Sequence, residues 1–423
     1  MKRRSVLHAG TAATIAAVAP LRAQTRGAAQ VLVVGGGYAG ATAAKQLRVL
    51  SRGRIAVTLI EPESAFVSCP MSNLVLGGSR RMADITVRYD ALVKRHGVRW
   101  ARDVVRGVNL PARTVSLAGG EQLRYDKLVL APGVGMMWDA VEGLAAANAD
   151  GRIVQAWKAG AETVALRRQL EDMRDGGVFA ISIPELPIRC PPAPYERACQ
   201  VAWYLKKAKP RSKVLVFDAN DDVTSESQMF KHAWTTLYPG LIEYRPQYKL
   251  TGVDGKANVM RFEVQDDEKA DVINALPPMR AADIAVQAGL NNQANQRWCG
   301  VNYQTFESSV ARDVFVLGDA IQIAPGMSKS GHMAYAQAKV AAAAIVAQLA
   351  GRDPERTPRL SNTCFSFVDD RLAGRVANRH EYVPADGSYR TLPGSAVMST
   401  RASAQEGALA RRWAATVWAD MLG

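Results

Sequence analysis

Short apolar runs alternate with helical patterns along most of the chain. Residues 31–34 form a continuous apolar run, which is typical of a strand buried on both faces of a sheet. Residues 55–60 and 128–130 have the composition of further strands, and a helical pattern over residues 41–50 separates the first two. This region therefore predicts a βαβ unit that opens a parallel sheet.

A second region with the same alternation occupies the middle of the chain. Its predicted elements are a helix over residues 160–173 and strands over 178–183, 213–218 and near 271–274. The first pattern then returns in a strand over residues 313–320, and an Ala-rich helix over 336–350 follows. After Pro354 and Pro358, about 65 residues form a terminal region ending in a helix, whose apolar stripe predicts packing.

The N-terminal residues have the layout of an export leader. Lys2, Arg3 and Arg4 precede a modestly apolar run over residues 6–18 and a small-residue site that ends at Ala23. The paired arginines favour the twin-arginine route over a general secretory leader, which remains the alternative. We therefore expect the mature protein in the periplasm.

The charge balance is basic but does not indicate nucleic acid. The chain has 53 Lys and Arg residues against 39 Asp and Glu, a net charge of +14. Four of the basic residues lie in the leader, so the mature chain would carry about +10. These residues are scattered, so a small anion or an acidic protein is the better partner. No other stretch reaches the roughly 20 apolar residues of a membrane span, so no transmembrane segment is expected.

A glycine-rich turn follows the first predicted strand. Gly35 permits a tight turn, Gly37 lets the backbone approach a pyrophosphate, and Gly40 allows close packing of helix on strand. Glu61 lies 21 residues past Gly40 at the end of the second strand, where a carboxylate can bind ribose hydroxyls. The pattern predicts a dinucleotide site but does not separate FAD from NAD.

Two later motifs resemble the second and third flavin motifs of pyridine nucleotide-disulfide oxidoreductases. They are Ala131-Pro132-Gly133 and the run over residues 314–320, which ends in Gly318-Asp319-Ala320. The resemblance implies FAD as cofactor, Asp319 as the residue that holds the ribityl chain, and Ala131, Gly133 and Val105 as further contacts. It also implies that the helix beginning near Lys329 points its N-terminus at the flavin.

This resemblance implies an α/β fold with two Rossmann-like domains of glutathione-reductase-like arrangement, plus a small C-terminal α+β domain. The expected segments are the leader (1–23), the FAD-binding domain in two parts (24–150 and 280–352), an NAD-binding-like domain (151–279) and a C-terminal flavin-binding and interface domain (353–423). In the middle domain, residues 183–192 contain no glycine and four prolines where the second dinucleotide turn belongs. Because proline removes N–H donors, no NAD(P)H is expected.

Five cysteines lie beyond the leader, and none forms a C-x-x-C pair. In an oxidising compartment, structural disulfides plus one unpaired thiol are the simplest interpretation. Cys199 and Cys299 fit no motif and are either buried thiols or a second bridge. His232 and His332 lack metal-ligand spacing, so both are taken as packing residues and no metal is expected.

The other three cysteines lie in strings that resemble the flavoprotein of flavocytochrome c sulfide dehydrogenase and, more distantly, sulfide:quinone oxidoreductases. The strings run over residues 66–73, 190–196 and 362–365. The resemblance implies that Cys69 carries FAD through a thioether and that Cys190 and Cys364 form a redox-active disulfide. It also implies that Glu196 is the acid–base, although a carboxylate at a helix N-terminus is the plain alternative.

The implied function is oxidation of hydrosulfide to zero-valent sulfur or polysulfide by a periplasmic sulfide dehydrogenase of the flavocytochrome c type. The resemblance also implies that electrons pass to a c-type cytochrome subunit in a heterodimer. This chain has no C-x-x-C-H motif, so it cannot attach haem c itself. One alternative is a sulfide:quinone oxidoreductase, against which Arg411, Arg412 and Asp420 in the terminal helix argue mildly. Another is a non-catalytic FAD-binding assembly partner. A thiol or polysulfide as substrate, the attacked sulfur and the haem count of the partner stay open.

Overall fold

Two parallel sheets with helices packed on them dominate the fold. The computed structural model describes residues 27–423, so the predicted leader over residues 1–23 lies outside the described residues. The arrangement confirms the predicted α/β class with two Rossmann-like units.

The first sheet begins with the strand that was predicted over residues 31–34. This strand pairs in parallel with its neighbours on both sides, and its apolar residues are buried. The elements of this region are β1 (Gln30–Val34), α1 (Tyr38–Leu50), β2 (Ala56–Ile60), β3 (Ala65–Val67), α2 (Ser72–Gly77), β4 (Thr86–Arg88), α3 (Asp90–Lys94), β5 (Arg99–Ala101), β6 (Val105–Asn109), β7 (Thr114–Leu117), β8 (Gln122–Arg124), β9 (Lys127–Leu130), β10 (Val134–Met136) and α4 (Leu144–Ala149).

The second sheet has four parallel strands and lies in the middle region. Its elements are α5 (Ala161–Asp172), β11 (Val178–Ile183), α6 (Ala193–Ala208), β12 (Lys213–Asp218), α7 (Ser227–Thr236), β13 (Ile242–Pro246), β14 (Leu250–Asp254), β15 (Val259–Phe262), β16 (Glu268–Lys269) and β17 (Val272–Ala275). The strand order is β13-β12-β11-β17, and β14–β16 form a separate antiparallel sheet.

The chain then returns to the first sheet and completes it. The elements are β18 (Met279–Ala281), α8 (Asp283–Gln287), β19 (Val301–Asn302), β20 (Glu307–Ser308), β21 (Val314–Val316) and α9 (Gly331–Leu349). β21 pairs in parallel with β9, which gives the order β19-β20-β21-β9-β1-β2-β5. α9 packs against α1 through small side chains, since Ala338, Ala341 and Ala342 are fully buried.

The terminal region is an antiparallel sheet followed by one long helix. Its elements are β22 (Arg359–Phe367), β23 (Ala373–Val383), β24 (Ser388–Thr391), β25 (Val397–Met398) and α10 (Ala404–Leu422). α10 packs against β23 and α1 and buries Val417 and Met421 of the predicted stripe. Across residues 27–423, no helix is both long enough and apolar enough to cross a bilayer.

Most of the predicted long elements are confirmed, with differences at their ends. β11 and β12 have the predicted bounds, and α5 differs from its prediction by one residue at each end. The predicted strand over residues 313–320 is shorter, because the chain leaves β21 for a 3-10 turn at Gly318–Ala320. α9 begins five residues before the predicted helix, because Ser330 caps it by accepting from the Met333 N–H at 3.1 Å.

Candidate active site

The turn between β1 and α1 fits the backbone of a pyrophosphate site. Gly35 has φ +94°, and a Cβ there would lie 2.5 Å from the Ala131 carbonyl oxygen. A Cβ on Gly40 would lie 1.7 Å from the Gly35 oxygen, so that glycine allows the helix to touch the strand. Gly37 is different, because a Cβ there would meet no protein atom within 4 Å. The open side of the turn is therefore over Gly37, beside the first N–H groups of α1.

This difference gives a test of the turn. Gly37→Ala is expected to leave the flavin-free protein within about 0.5 kcal/mol of wild-type stability, because the φ of −70° suits any residue. The added methyl occupies the space over the turn, so the flavin retained per chain should fall by roughly tenfold or more, about 1.4 kcal/mol. Gly40→Ala should instead destabilise the fold by about 1–3 kcal/mol or more. Thermal unfolding and flavin content distinguish the two, and a Gly37→Ala protein with full flavin content would contradict this assignment.

Glu61 lies at the end of β2 and is held by backbone donors. Its Oε2 accepts from the Gly36 N–H at 2.6 Å and its Oε1 accepts from the Glu63 N–H at 2.9 Å. Burial raises the pKa of this carboxyl, and the two bonds oppose that shift. Val105 begins β6 and packs half-buried against the core of the first sheet. The roles of Glu61 in ribose binding and of Val105 in flavin contact stay predictions.

Asp319 supplies an acceptor that has no protein partner. It lies in the turn after β21, and its Oδ1 is inaccessible to solvent and accepts no hydrogen bond within residues 27–423. Burial raises the pKa of its carboxyl, whereas the charges of Arg189 and Lys329 lower it. An unpaired carboxylate oxygen that lines a cavity suits the hydroxyls of a ribityl chain. Together with the open turn at Gly37, this oxygen shows that the residues present fit FAD.

The N-terminus of α9 reaches the same cavity. Ser330, Gly331 and His332 line it, and the Ser330 hydroxyl also donates to Asn362 Oδ1 at 2.6 Å. The helix has 19 residues, so its N–H groups and dipole favour an anion at this end. The helix starts two residues after Lys329, near which the family resemblance had placed its start, whereas the apolar pattern alone had placed it at residue 336.

Three cysteines that are far apart in the sequence line one cavity. Cys69 follows β3, Cys190 precedes α6, and Cys364 lies in β22; all three share the cavity with Glu196 and Asp319. All five thiols of residues 27–423 are free in the structure, so the Cys190–Cys364 bridge stays a prediction. The structure thus places the predicted disulfide partners Cys190 and Cys364 in one cavity with Glu196 and Asp319.

Backbone hydrogen bonds hold two of these cysteines, Cys190 and Cys69, in place. Cys190 adopts φ +56°, and its N–H donates to the Lys329 carbonyl at 2.8 Å, which ties the glycine-free loop to the start of α9. The Cys69 sulfur accepts from the Ala159 N–H at 3.5 Å. Burial raises the pKa of the Cys190 thiol and raises that of Cys364 to about 11. As free thiols, Cys190 and Cys364 therefore keep their protons at neutral pH.

Glu196 lies in the first turn of α6 and is buried beside the sulfurs. Its Oε1 accepts from the Phe367 N–H at 2.9 Å, and its Oε2 accepts from Asn73 Nδ2 at 2.7 Å. Burial raises the pKa of this carboxyl to about 7, against the opposing effect of both bonds. A carboxyl with a pKa near 7 can take and return a proton at neutral pH.

Three polar residues near this acid, Asn73, Arg189 and Arg197, were not among the predicted site residues. Arg197 donates from Nε to Asn73 Oδ1 at 3.1 Å, so Asn73 bridges Glu196 and Arg197. Arg189 lines the cavity and donates to the Trp157 carbonyl. Its position next to Cys190 was the one available signal, because a cation beside a cysteine favours the thiolate.

The remaining cysteines and His332 also have defined surroundings. Cys199 and Cys299 are fully buried in two different cores, which favours the buried-thiol alternative over a second bridge. His332 stacks edge-on against Trp413 at 5.6 Å between ring centroids, as a packing residue does, but it also lines the cavity. Burial lowers the pKa of His332 to about 4, so its ring is neutral.

The chain resembles known protein families and individual proteins. Three family models match: pyridine nucleotide-disulphide oxidoreductase over residues 29–165, the central part of the sulfide dehydrogenase (flavocytochrome c) flavoprotein chain over 163–277, and flavocytochrome c sulphide dehydrogenase, flavin-binding, over 356–422. A sulfide dehydrogenase (flavocytochrome c) flavoprotein chain of Chlorobaculum thiosulfatiphilum is 57% identical over 49 residues, which are 12% of this chain and all of that sequence.

More distant relatives are sulfide:quinone oxidoreductases. The mitochondrial enzyme of Mus musculus is 24% identical over 326 residues, 70% of this chain, and the match spans about two thirds (66%) of that protein. A solved structure of the sulfide:quinone oxidoreductase of Aquifex aeolicus superposes with a TM-score of 0.77 at 19% identity, covering 93% of this chain and 92% of that one. At this identity the superposition shows the shared fold alone.

Proposed function

The chain belongs to the flavoprotein family of flavocytochrome c sulfide dehydrogenases, and on that premise we propose that it oxidises sulfide to zero-valent sulfur or polysulfide. The observation that carries the proposal is the single cavity shared by Cys190, Cys364, Glu196 and Asp319. This cavity combines two sulfurs, a buried acid and a flavin-motif residue within reach of one small substrate.

The chemistry begins at a Cys190–Cys364 disulfide. Hydrosulfide attacks one sulfur, so an S–S bond forms to the substrate while the original S–S bond breaks. One cysteine becomes a persulfide and the other a thiolate. Glu196 takes the proton of the S–H group. The outer sulfur then leaves the persulfide as its bond to cysteine breaks, the two cysteine sulfurs re-form their disulfide, and two electrons pass to the acceptor. The net change is one hydrosulfide converted to one zero-valent sulfur, one proton and two electrons.

Residues around the cavity favour an anionic substrate. Arg189 supplies a cation beside the sulfurs, and the N-terminus of α9 supplies a dipole. Both would stabilise the thiolate released by the attack. Bound FAD supplies the acceptor for the electron pair and can release the electrons singly.

We propose that a thioether to Cys69 holds the FAD. After denaturing precipitation, the yellow colour is expected to stay with the wild-type protein and to move to the supernatant in Cys69→Ala. Cys299→Ala is a matched control, because that thiol is fully buried in the core of the first sheet and does not line the cavity. Colour in the supernatant of the wild-type protein would contradict the thioether.

The proposed electron acceptor is a c-type cytochrome subunit in the periplasm. The arginine pair Arg3-Arg4 and the apolar run over residues 6–18 support export, and the family name, flavocytochrome c, supports a cytochrome partner. Because the sequence contains no C-x-x-C-H, the haem would belong to that partner.

Sulfide oxidation with different acceptors tests the function. Sulfide is expected to bleach the flavin, and the reduced protein is expected to reduce soluble cytochrome c but not decylquinone. Activity with decylquinone alone would favour the sulfide:quinone oxidoreductase alternative, to which the shared fold also belongs. A flavin spectrum that sulfide leaves unchanged would favour a non-catalytic binding partner.

A further inference from the structure

A second buried carboxyl lies behind the sulfur cavity. Glu226 precedes α7 with φ +54° and is 1% exposed. Its Oε2 accepts from the Ser366 hydroxyl at 2.5 Å, and its Oε1 has no partner within residues 27–423. An ionised carboxylate left with an unpaired buried oxygen is costly, so this group is stable there as the neutral acid.

The end of β22 links this carboxyl to the cavity. Cys364 lies two residues before Ser366, which binds Glu226, and the next residue, Phe367, donates its N–H to Glu196. Glu226 and Glu196 are therefore bound by two adjacent residues of β22, Ser366 and Phe367. Both Glu196 and Cys364 lie within electrostatic reach of Glu226.

A third carboxyl continues the row toward the surface. Ser366 pairs with Gly374 in the β22–β23 ladder, and a Cβ on Gly374 would lie 3.2 Å from Glu226 Oε1. The next residue, Arg375, contacts Glu406 of α10 at 3.5 Å. Glu406 also acts electrostatically on Glu226, and its side chain is 18% exposed. Arg375 is the one cation at this outer end of the row among the described contacts.

We propose that Glu226 and Glu406 form a relay that carries the proton from Glu196 to solvent, an inference that rests on the proposed function. Glu226 gives its proton to Glu406 and receives the proton that Glu196 took from the substrate. Only protons move in the relay. In turnover with cytochrome c, one hydrosulfide and two oxidised cytochromes give one zero-valent sulfur, one proton and two reduced cytochromes.

The acidities of Glu196 and Glu226 suit a transfer between them. Burial raises the pKa of Glu226 to about 8, and the Ser366 bond opposes that shift while the charges of Glu196 and Glu406 reinforce it. Burial raises the pKa of Glu196 to about 7. Proton transfer between acids of similar pKa meets no large free-energy difference, so the proton can move either way between them.

The test uses the full-length flavin-loaded protein and the variant Glu226→Gln, which keeps the shape of the neutral acid but cannot pass a proton. Turnover with sulfide and excess oxidised cytochrome c is expected to slow by roughly tenfold or more and to show a larger solvent isotope effect. Added formate should restore the rate, because a small acid can substitute for a missing relay group. Glu406→Gln, at the more exposed end, is expected to act in the same direction even if Glu226→Gln folds poorly.

Glu171→Gln is the matched control, because that carboxyl pairs with Arg167 on the surface of α5. Infrared spectroscopy adds a readout that needs no activity, namely a C=O stretch of a protonated carboxyl at neutral pH that Glu226→Gln removes. Relay variants that turn over at the wild-type rate, or that slow without an isotope effect or rescue, overturn the relay. A wild-type flavin that sulfide does not bleach contradicts the proposed function instead, while the infrared band still reports on Glu226.

Discussion

Replacing Cys190 or Cys364 by serine is expected to slow flavin bleaching by sulfide by roughly 10³-fold or more. A hydroxyl cannot take part in a disulfide, so either change removes the bond that hydrosulfide attacks. The flavin should remain bound, because the residues that fit it lie in the β1–α1 turn and at Asp319. Rapid mixing of sulfide with each variant measures the bleaching rate.

The double variant sharpens this prediction. Because the two sulfurs act as one unit, Cys190→Ser with Cys364→Ser should be no slower than either single variant. Cys199→Ala is the matched control, because its thiol lies in the core of the middle domain, where it accepts from Trp234 Nε1 at 3.3 Å. Wild-type bleaching in either single variant would show that the cavity sulfurs do not carry the reaction.

Replacing Glu196 by glutamine is expected to lower turnover by about 10²- to 10⁴-fold, the usual contribution of a positioned base. The base must be ionised to accept a proton, and its pKa is raised to about 7. Wild-type activity should therefore rise as the pH passes upward through about 7, and this limb should be absent in Glu196→Gln. Rates are compared at equal hydrosulfide rather than equal total sulfide, because the substrate ionises in the same range.

The variant Asn73→Ala distinguishes titration of Glu196 from ionisation of the substrate in the pH dependence of activity. Asn73 donates to Glu196 Oε2, and this bond lowers the pKa of the carboxyl. Its loss should move the limb to higher pH, which ionisation of the substrate cannot do. A limb at an unchanged pH in both variants would assign the titration to another group.

The sequence predicted the parts of the fold that depend on long apolar runs. β11 and β12 are continuous apolar strands between polar turns, and their bounds were predicted correctly. The short antiparallel strands β6–β8 and β14–β16 were not predicted, because runs of two to five residues are too short to show a clear hydrophobic period. Pairing between neighbouring strands, rather than the propensity of each strand alone, stabilises them.

The candidate site also contains residues that the sequence could predict and residues that it could not. Gly37, Asp319 and Cys190 could be predicted as site residues because each lies in a local turn or in a short sequence motif shared with a known family. The contacts of Asn73 with Glu196 and Arg197 join residues more than 120 positions apart, so no local pattern indicates them. The same holds for Glu226, whose partner Ser366 is 140 positions away.

A hydrogen bond connects α10 to the start of α1, beside the glycine-rich turn between β1 and α1. Trp418 of α10 donates from its indole N–H to the Tyr38 hydroxyl at 3.0 Å. Tyr38 opens α1 and also bonds Ser68, the residue before Cys69. On the ribosome, every residue up to Trp418 must be synthesised before this contact can form. We therefore expect the nascent chain to load its flavin only after translation of α10, so a ribosome stalled within β22 should present a protein that cannot yet retain the cofactor.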